Sequence, residues 1–166
     1  LEMAQGVVSA ARSLNCPVII QFNRGGLAHI GGASSALPYS DRAIQGIPIA
    51  AAAVSLLAKR ETIPVALHLD HADTIDELDE AIGCGFTSLM FDGSTHDLPT
   101  HIKLAKEARR ISRRAGVPLE AELGHVSGCE EGVTIDQSSL TDPEDAIGFV
   151  EATEIDMLAV SIGNVH

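Results

Sequence analysis

Along the chain, short apolar runs alternate with longer stretches in which apolar residues recur every three or four positions. The alternation predicts helices over 2–13, 47–60, 75–84, 98–115 and 142–153. Between them it predicts strands over 17–22, 64–70, 87–92, 117–123 and 155–162. Two segments read as loops: a Gly-rich one from Asn23 to about Asp41, and another from Gly124 to Leu140. The clearest periodicity is in the helix over 98–115, where Leu98, Ile102, Ala105, Ala108, Ile111 and Ala115 follow one another at helical spacing.

Several boundaries have a chemical reason. Thr74 with Glu77, and Thr141 with Glu144, have the spacing of a capping box at a helix start. Pro99 suits the first turn of its helix and Gly116 the end of it. Short apolar strands separated by helices make a parallel sheet, of α/β class and one domain. Alternation alone does not choose between a closed barrel and an open doubly wound sheet. No strand–GxGxxG–helix stretch is present, which weakens the dinucleotide-binding version of the open sheet.

The polar residues inside the strands carry more information. Residues at i and i+2 share a face of a strand, so His68 pairs with Asp70, Ser88 with Asp92, and Glu120 with Glu122. Burying a carboxylate costs on the order of several kcal/mol unless it is paired or binds a metal. Three neighbouring strands with acids at their C-terminal ends therefore point to a site, and a (β/α)8 barrel collects its active site there. Asp70, His71, Asp92, Glu122 and His166 all fall at such ends and are nitrogen and oxygen donors that suit Zn2+ or a similar ion. Helix caps and interior ion pairs with the few Lys and Arg residues are the plainer alternative.

Composition adds limits. The chain has 166 residues, 45% hydrophobic and 20% charged, with no Trp, so Ala, Ile, Leu and Val must fill the core. A net charge of −12 argues against a nucleic-acid partner, which calls for a basic face, and against an anionic membrane surface. Cys16, Cys84 and Cys129 have no paired spacing and read as free thiols of a reducing, cytoplasmic compartment. No apolar run is read as approaching membrane length, and the first residues lack a signal-peptide layout. The chain begins inside what reads as a helix and stops directly after a strand, so both ends look cut and the chain is expected to be a piece of a longer protein.

At LHLDHADT (67–74) the sequence resembles the class II fructose- and tagatose-bisphosphate aldolases. The resemblance continues, in order, through FDGS (91–94), EAELGHVSGCEEG (120–132), TDPEDAIGFVEAT (141–153) and IDMLAVSIGNVH (155–166); NCPVIIQF (15–22) and GGLAHIGG (25–32) fit as well. It implies a partial (β/α)8 TIM barrel lacking the first strand and the last αβ units. The implied activity is reversible cleavage of a ketose 1,6-bisphosphate, fructose 1,6-bisphosphate first, to dihydroxyacetone phosphate and glyceraldehyde 3-phosphate.

Roles follow position by position as the resemblance implies them. His71 and His166 match two of three histidine ligands of a catalytic Zn2+, the third being expected beyond residue 166. Asp92 and Glu122 match acids that bind a second metal position or orient the first. Asp70 matches the acid that moves the C4 hydroxyl proton, and Glu130 a loop glutamate that exchanges a proton at C3. Asn23 and Gly163 stand at implied substrate contacts, Asn23 where the family often has Ser, and a monovalent cation is implied near the Gly163 loop. The partner is a phosphorylated ketose, and the assembly a homodimer or homotetramer.

Other readings stay beside this one: a different metal-dependent barrel enzyme, such as a hydrolase with zinc-bound water, or a non-catalytic fragment. Lys59, Lys103 and Lys106, the only lysines, all fall on predicted helices, which leaves a Schiff-base route without support. His68 reads as a hydrogen-bonded interior residue. His29, His96, His101 and His125 read as solvated, with His125 the best of them for a site contact, and Arg109, Arg110, Arg113 and Arg114 as a surface helix end that complements the dipole.

Overall fold

The computed structural model describes residues 1–32, 36–124 and 140–163 in full, and the backbone alone at 128–130 and 133–135. The order is α1 (Glu2–Leu14), β1 (Val18–Phe22), α2 (Arg24–Ile30), α3 (Tyr39–Ala58), β2 (Val65–Ala72), α4 (Ile75–Cys84) and β3 (Ser88–Phe91). It continues with α5 (Leu98–Ala115), β4 (Leu119–Leu123), β5 (Gly128–Glu130), β6 (Val133–Ile135), α6 (Pro143–Thr153) and β7 (Met157–Val160). One sheet runs β1-β2-β3-β4-β7, every pair parallel, while β5 and β6 form a separate antiparallel pair.

Strand alternation gives this sheet two unlike faces. Ile20, Leu67, Leu69, Leu89, Phe91, Leu119 and Ala121 are buried in one core cluster with helix residues such as Ala50, Leu78 and Ala108. Gln21, His68, Ser88 and Glu120 alternate with them and line the other face. Helices pack in succession around the outside, α3 on α4, α4 on α5 and α5 on α6. Such a sheet, covered on one face and polar on the other, is the wall of a partial (β/α)8 barrel.

The Gly-rich stretch after β1 is a helix rather than a loop. Asn23 Oδ1 accepts a hydrogen bond from Gly26 N at 2.9 Å and caps α2. The glycines serve contact between helices: a Cβ on Gly31 would lie 2.0 Å from Arg42 O, and one on Gly46 would lie 2.1 Å from Leu27 O. The backbones of α2 and α3 touch with no room for a side chain. α3 likewise starts at Tyr39 instead of residue 47, running through Pro48 and giving up that residue's N–H bond. Its length and composition would let it cross a membrane, contrary to the reading that no apolar run comes close. Ala43, Ile47, Ala50, Ala51 and Val54 on it are buried in the core, which is a core helix's use of the same composition.

Two caps were assigned from sequence, and they differ in outcome. Thr74 Oγ1 accepts from Glu77 N at 3.3 Å, and Glu77 Oε2 accepts from Asp73 N at 3.2 Å, a capping box shifted by one residue on its return arm. At α6 the cap is Asp142, which accepts from Glu144 N at 2.8 Å, and not Thr141. Thr141 Oγ1 instead donates to Leu123 O and accepts from Ser161 N at 2.8 Å, tying the ends of β4 and β7 together. Arg109 is more than surface: it makes a two-pronged contact to Asp156 at 2.7 and 2.9 Å, and Asp156 Oδ2 also accepts from Leu119 N at 2.8 Å.

The glycine contacts generate a stability prediction with an internal control. Gly46→Ala forces α2 and α3 apart and is expected to cost about 1–3 kcal/mol in urea unfolding. Gly148→Ala, in a helix where an added Cβ meets nothing within 4 Å, is expected to stabilise by about 0.5–1 kcal/mol.

Candidate active site

The site begins with an irregularity in β2. Leu69 pairs with Leu89 and Ala72 with Phe91, so Asp70 and His71 together face the single residue Met90. One extra residue in the strand is a bulge, and His71 takes it up with φ 54, in the left-handed region. That conformation costs a residue with a Cβ about 1–2 kcal/mol. Its effect is on direction. Neighbours in a regular strand point to opposite faces, whereas here both side chains reach the same place. His71 Nε2 lies 3.7 Å from Asp70 Oδ1, and His71 Nδ1 lies 3.2 Å from Asp92 Oδ2.

Asp92 follows directly on β3. Ser94 N donates to its Oδ1 at 2.9 Å. Burial works to raise its pKa, but the hydrogen bonds from His71 and Ser94 outweigh burial and hold it down at about 2. Glu122, 5% exposed, comes from β4, on the face it shares with Glu120. One donor atom each from His71, Asp92 and Glu122 lie within 4.8 Å of one another. An imidazole nitrogen and two carboxylates converging at partial burial fit a divalent ion with a taste for mixed nitrogen and oxygen ligands. Removing such a charge cluster from water calls for a cation among them.

Asp70 sits at the edge of this group. Gln21 Nε2 donates to its Oδ2 at 3.1 Å, leaving Oδ1 on the His71 side. A cavity of about 400 Å3 opens beside them, bounded by Gln21, Asn23, Gly26, His29 and Asp70. Asn23 reaches this cavity while its side-chain oxygen caps α2. Gly163 follows β7 with φ 97, a conformation open to glycine. Glu130 lies on β5, opposite Val133, within the segment read as a loop; its side chain, Cys129's, and all of His125 and His166 lie outside the described residues.

Behind the site, Arg24 at the start of α2 donates to Glu77 Oε1 at 2.9 Å and Asp73 Oδ2 at 2.6 Å. Burial pushes the Glu77 carboxyl up while Arg24 opposes it. This bridge joins the turn after β1 to the turn after β2. His68 is an interior residue, its Nδ1 2.8 Å from Ser88 Oγ. His101 is the correction among the histidines read as solvated. It is 2% exposed and packed against Phe91 and Phe149. The signal was present: His101, Ala105, Ala108 and Ser112 form the buried stripe of α5, which shares Ala105 and Ala108 with the apolar stripe read from sequence. Gln21 was legible too, as the one polar residue in the strand VIIQF.

Residues 1–166 match the family model described as "Fructose-bisphosphate aldolase class-II". A fructose-bisphosphate aldolase of Giardia intestinalis is 39% identical over 166 residues, covering 100% of this chain and 47% of the relative. Another, of Thermus caldophilus, is 36% identical over 168 residues, covering 100% and 50%. The crystal structure of the YdjI aldolase from Escherichia coli K12 matches with a TM-score of 0.79 at 36% identity, over 100% of this chain and 54% of that one. The chain thus spans about half the length of the curated relatives it matches.

The buried histidines set a pH dependence. Burial lowers the pKa of His68 against the pull of Glu120 and Asp70, and lowers that of His101 against Asp92. Folded, both rings stay neutral to lower pH than they do in the unfolded chain, which takes up protons below about pH 6.5. Their contribution is complete above that value and is lost as pH falls below it. In EDTA the thermal midpoint is expected to drop between pH 7 and 5, with a shallower slope for His68→Asn. The Asp92 contribution disappears lower, between about pH 4 and 2.

Proposed function

The chain belongs to the class II fructose-bisphosphate aldolase family, and from that we propose that the full-length protein is a metal-dependent lyase. Its reaction is reversible cleavage of a ketose 1,6-bisphosphate, fructose 1,6-bisphosphate first, to dihydroxyacetone phosphate and glyceraldehyde 3-phosphate. The observation that carries this reading is the convergence of His71, Asp92 and Glu122 within 4.8 Å beside Asp70. Zn2+ is the proposed cofactor, held by His71 with Asp92 and Glu122 as ligands or supports, and by His166. When bound it supplies a Lewis acid for the substrate carbonyl and the negative charge left by C–C cleavage.

The other roles belong to the protein's own groups. Asp70 takes the proton from the C4 hydroxyl as the C3–C4 bond breaks and returns it in the aldol direction. The Gln21 amide holds one Asp70 oxygen, so the carboxylate keeps its orientation in both protonation states. Glu130 exchanges the proton at C3 of the triose-phosphate half. Asn23 and Gly163 are proposed substrate contacts, Asn23 facing the same cavity as Asp70. All three lysines are exposed, Lys103 and Lys106 on α5 and Lys59 at the end of α3, so none supports a Schiff base at this site. Free thiols at Cys16 and Cys84 are consistent with a reducing, cytoplasmic setting. The family suggests a homodimer or homotetramer.

The test is a coupled cleavage assay on the full-length protein with fructose 1,6-bisphosphate, and with its C4 epimer, tagatose 1,6-bisphosphate, as the second substrate. Activity is expected to vanish on chelation and return with Zn2+. Asp70→Asn is expected to lower kcat by about 100-fold or more, and Glu130→Gln to abolish proton exchange into dihydroxyacetone phosphate. Absence of metal-dependent cleavage of both sugars would sink the reading.

A further inference from the structure

His101 lies in the first turn of α5, away from the ligand atoms, yet its surroundings tie it to one of them. The imidazole packs against two tilted aromatic rings, with centroids 6.0 Å away for Phe91 and 4.7 Å for Phe149. Its Nε2 is buried with no hydrogen-bond partner among the described residues. Leaving a polar nitrogen unpaired is unfavourable, and a wholly apolar side chain could occupy such an aromatic pocket more cheaply. Something other than burial therefore favours this ring.

The neighbour on its third side is the backbone of Gly93. A Cβ on Gly93 would stand 2.4 Å from His101 Cδ2, 2.9 Å from Nε2 and 3.0 Å from Cγ. The φ of Gly93 is outside the left-handed region, so backbone conformation does not demand glycine there. The ring demands it. Gly93 is the middle of the turn 92–94, in which Ser94 N bonds Asp92 Oδ1 at 2.9 Å while Asp92 Oδ2 faces His71 Nδ1 at 3.2 Å. A ring packed against Phe91 and Phe149 thus lies directly against the turn that carries the Asp92 carboxylate.

We propose that His101 is a positioning residue for Asp92. Held by Phe91 and Phe149, it seats Gly93 and thereby fixes the turn that aims the carboxylate into the His71–Glu122 group. This inference rests on the metal-site reading above and adds a residue that touches neither metal nor substrate. It also accounts for the pairing of glycine at 93 with a small flat ring at 101.

The experiment measures Zn2+ affinity of the metal-free, full-length protein by competition with a chromophoric chelator, with thermal midpoints recorded alongside. His101→Ala and Gly93→Ala are each expected to weaken Zn2+ binding about tenfold, the range for removing a support behind a metal ligand. The double variant Gly93→Ala/His101→Ala should bind more tightly than Gly93→Ala alone, because the new methyl gains the space of the lost ring. In an Asp92→Ala background, His101→Ala should change the residual affinity by less than about twofold, since there is no carboxylate left to aim. Equal losses in both backgrounds, or no loss with Asp92 present, would overturn the proposal, as would a double variant no better than Gly93→Ala. Should His101→Ala fail to fold, His101→Asn carries the same comparisons. Wild-type protein that binds no Zn2+ would remove the metal-site reading and this inference together; wild-type binding that is indifferent to His101 removes this inference alone.

Discussion

One backbone conformation governs the candidate site. A parallel strand sends successive side chains to opposite faces, and an acid and a histidine at adjacent positions would normally be separated by the sheet itself. The bulge at Asp70 and His71, with His71 at φ 54, turns that geometry so that both residues serve one side. Asp70 reaches back to Gln21 of the preceding strand, and His71 reaches forward to Asp92 of the next. Three consecutive strands are thereby connected through two adjacent residues. The strain of the left-handed residue is of the kind that persists only where surrounding structure over-determines it; here the Gln21 and Asp92 contacts on either side do so.

Around that point the chain divides its labour by sheet face. The outer face is apolar and lies under helices, giving rigidity from Leu, Ala and buried phenylalanines. The inner face is polar, with Gln21, His68, Ser88 and Glu120 below the acids and His71 at the strand ends. The strand ends are fastened separately. Arg24 bridges to Asp73 and Glu77, Thr141 spans β4 and β7, and Asp156 ties Arg109 to the start of β4. The first two lie at the C-terminal ends of the strands, beside the ligand atoms, and the third at the opposite ends.

The strands, the outer helices and their parallel order were legible because period and caps speak locally; Leu98 to Ala115 and the Thr74 capping box are cases in point. The acids at strand ends were legible because a carboxylate among apolar neighbours is conspicuous. What escaped reading depends on contacts distant in sequence. Gly31 and the glycines before it suggested a loop, since composition cannot distinguish a flexible turn from a helix whose backbone touches the next one, as Gly31 does at Arg42 and Gly46 at Leu27. The bulge at His71 has no residue signature, because neither a Gly nor a Pro marks it. His101 was assigned to water on its chemistry, while its spacing with Ala105, Ala108 and Ser112 placed it inside. Thr141 looked like a cap because of its spacing to Glu144, but the neighbouring Asp142, an equally good cap, takes that role and leaves the threonine to join two strands.

The strand order has a consequence for how this polypeptide acquires its shape. Each sheet strand in the order β1-β2-β3-β4-β7 lies beside the sheet strand that precedes it along the chain, with no crossover that waits for a distant segment. Loop-closure entropy is thus met in small increments, one helix-and-strand unit at a time. A ribosome delivering the chain from its N-terminus would release each strand when the edge it joins already exists. The acid of β3 would arrive after the histidine of β2 was in place, and the glutamate of β4 after both. On this route the ligand group is assembled in the order of synthesis, as a by-product of vectorial growth of the sheet.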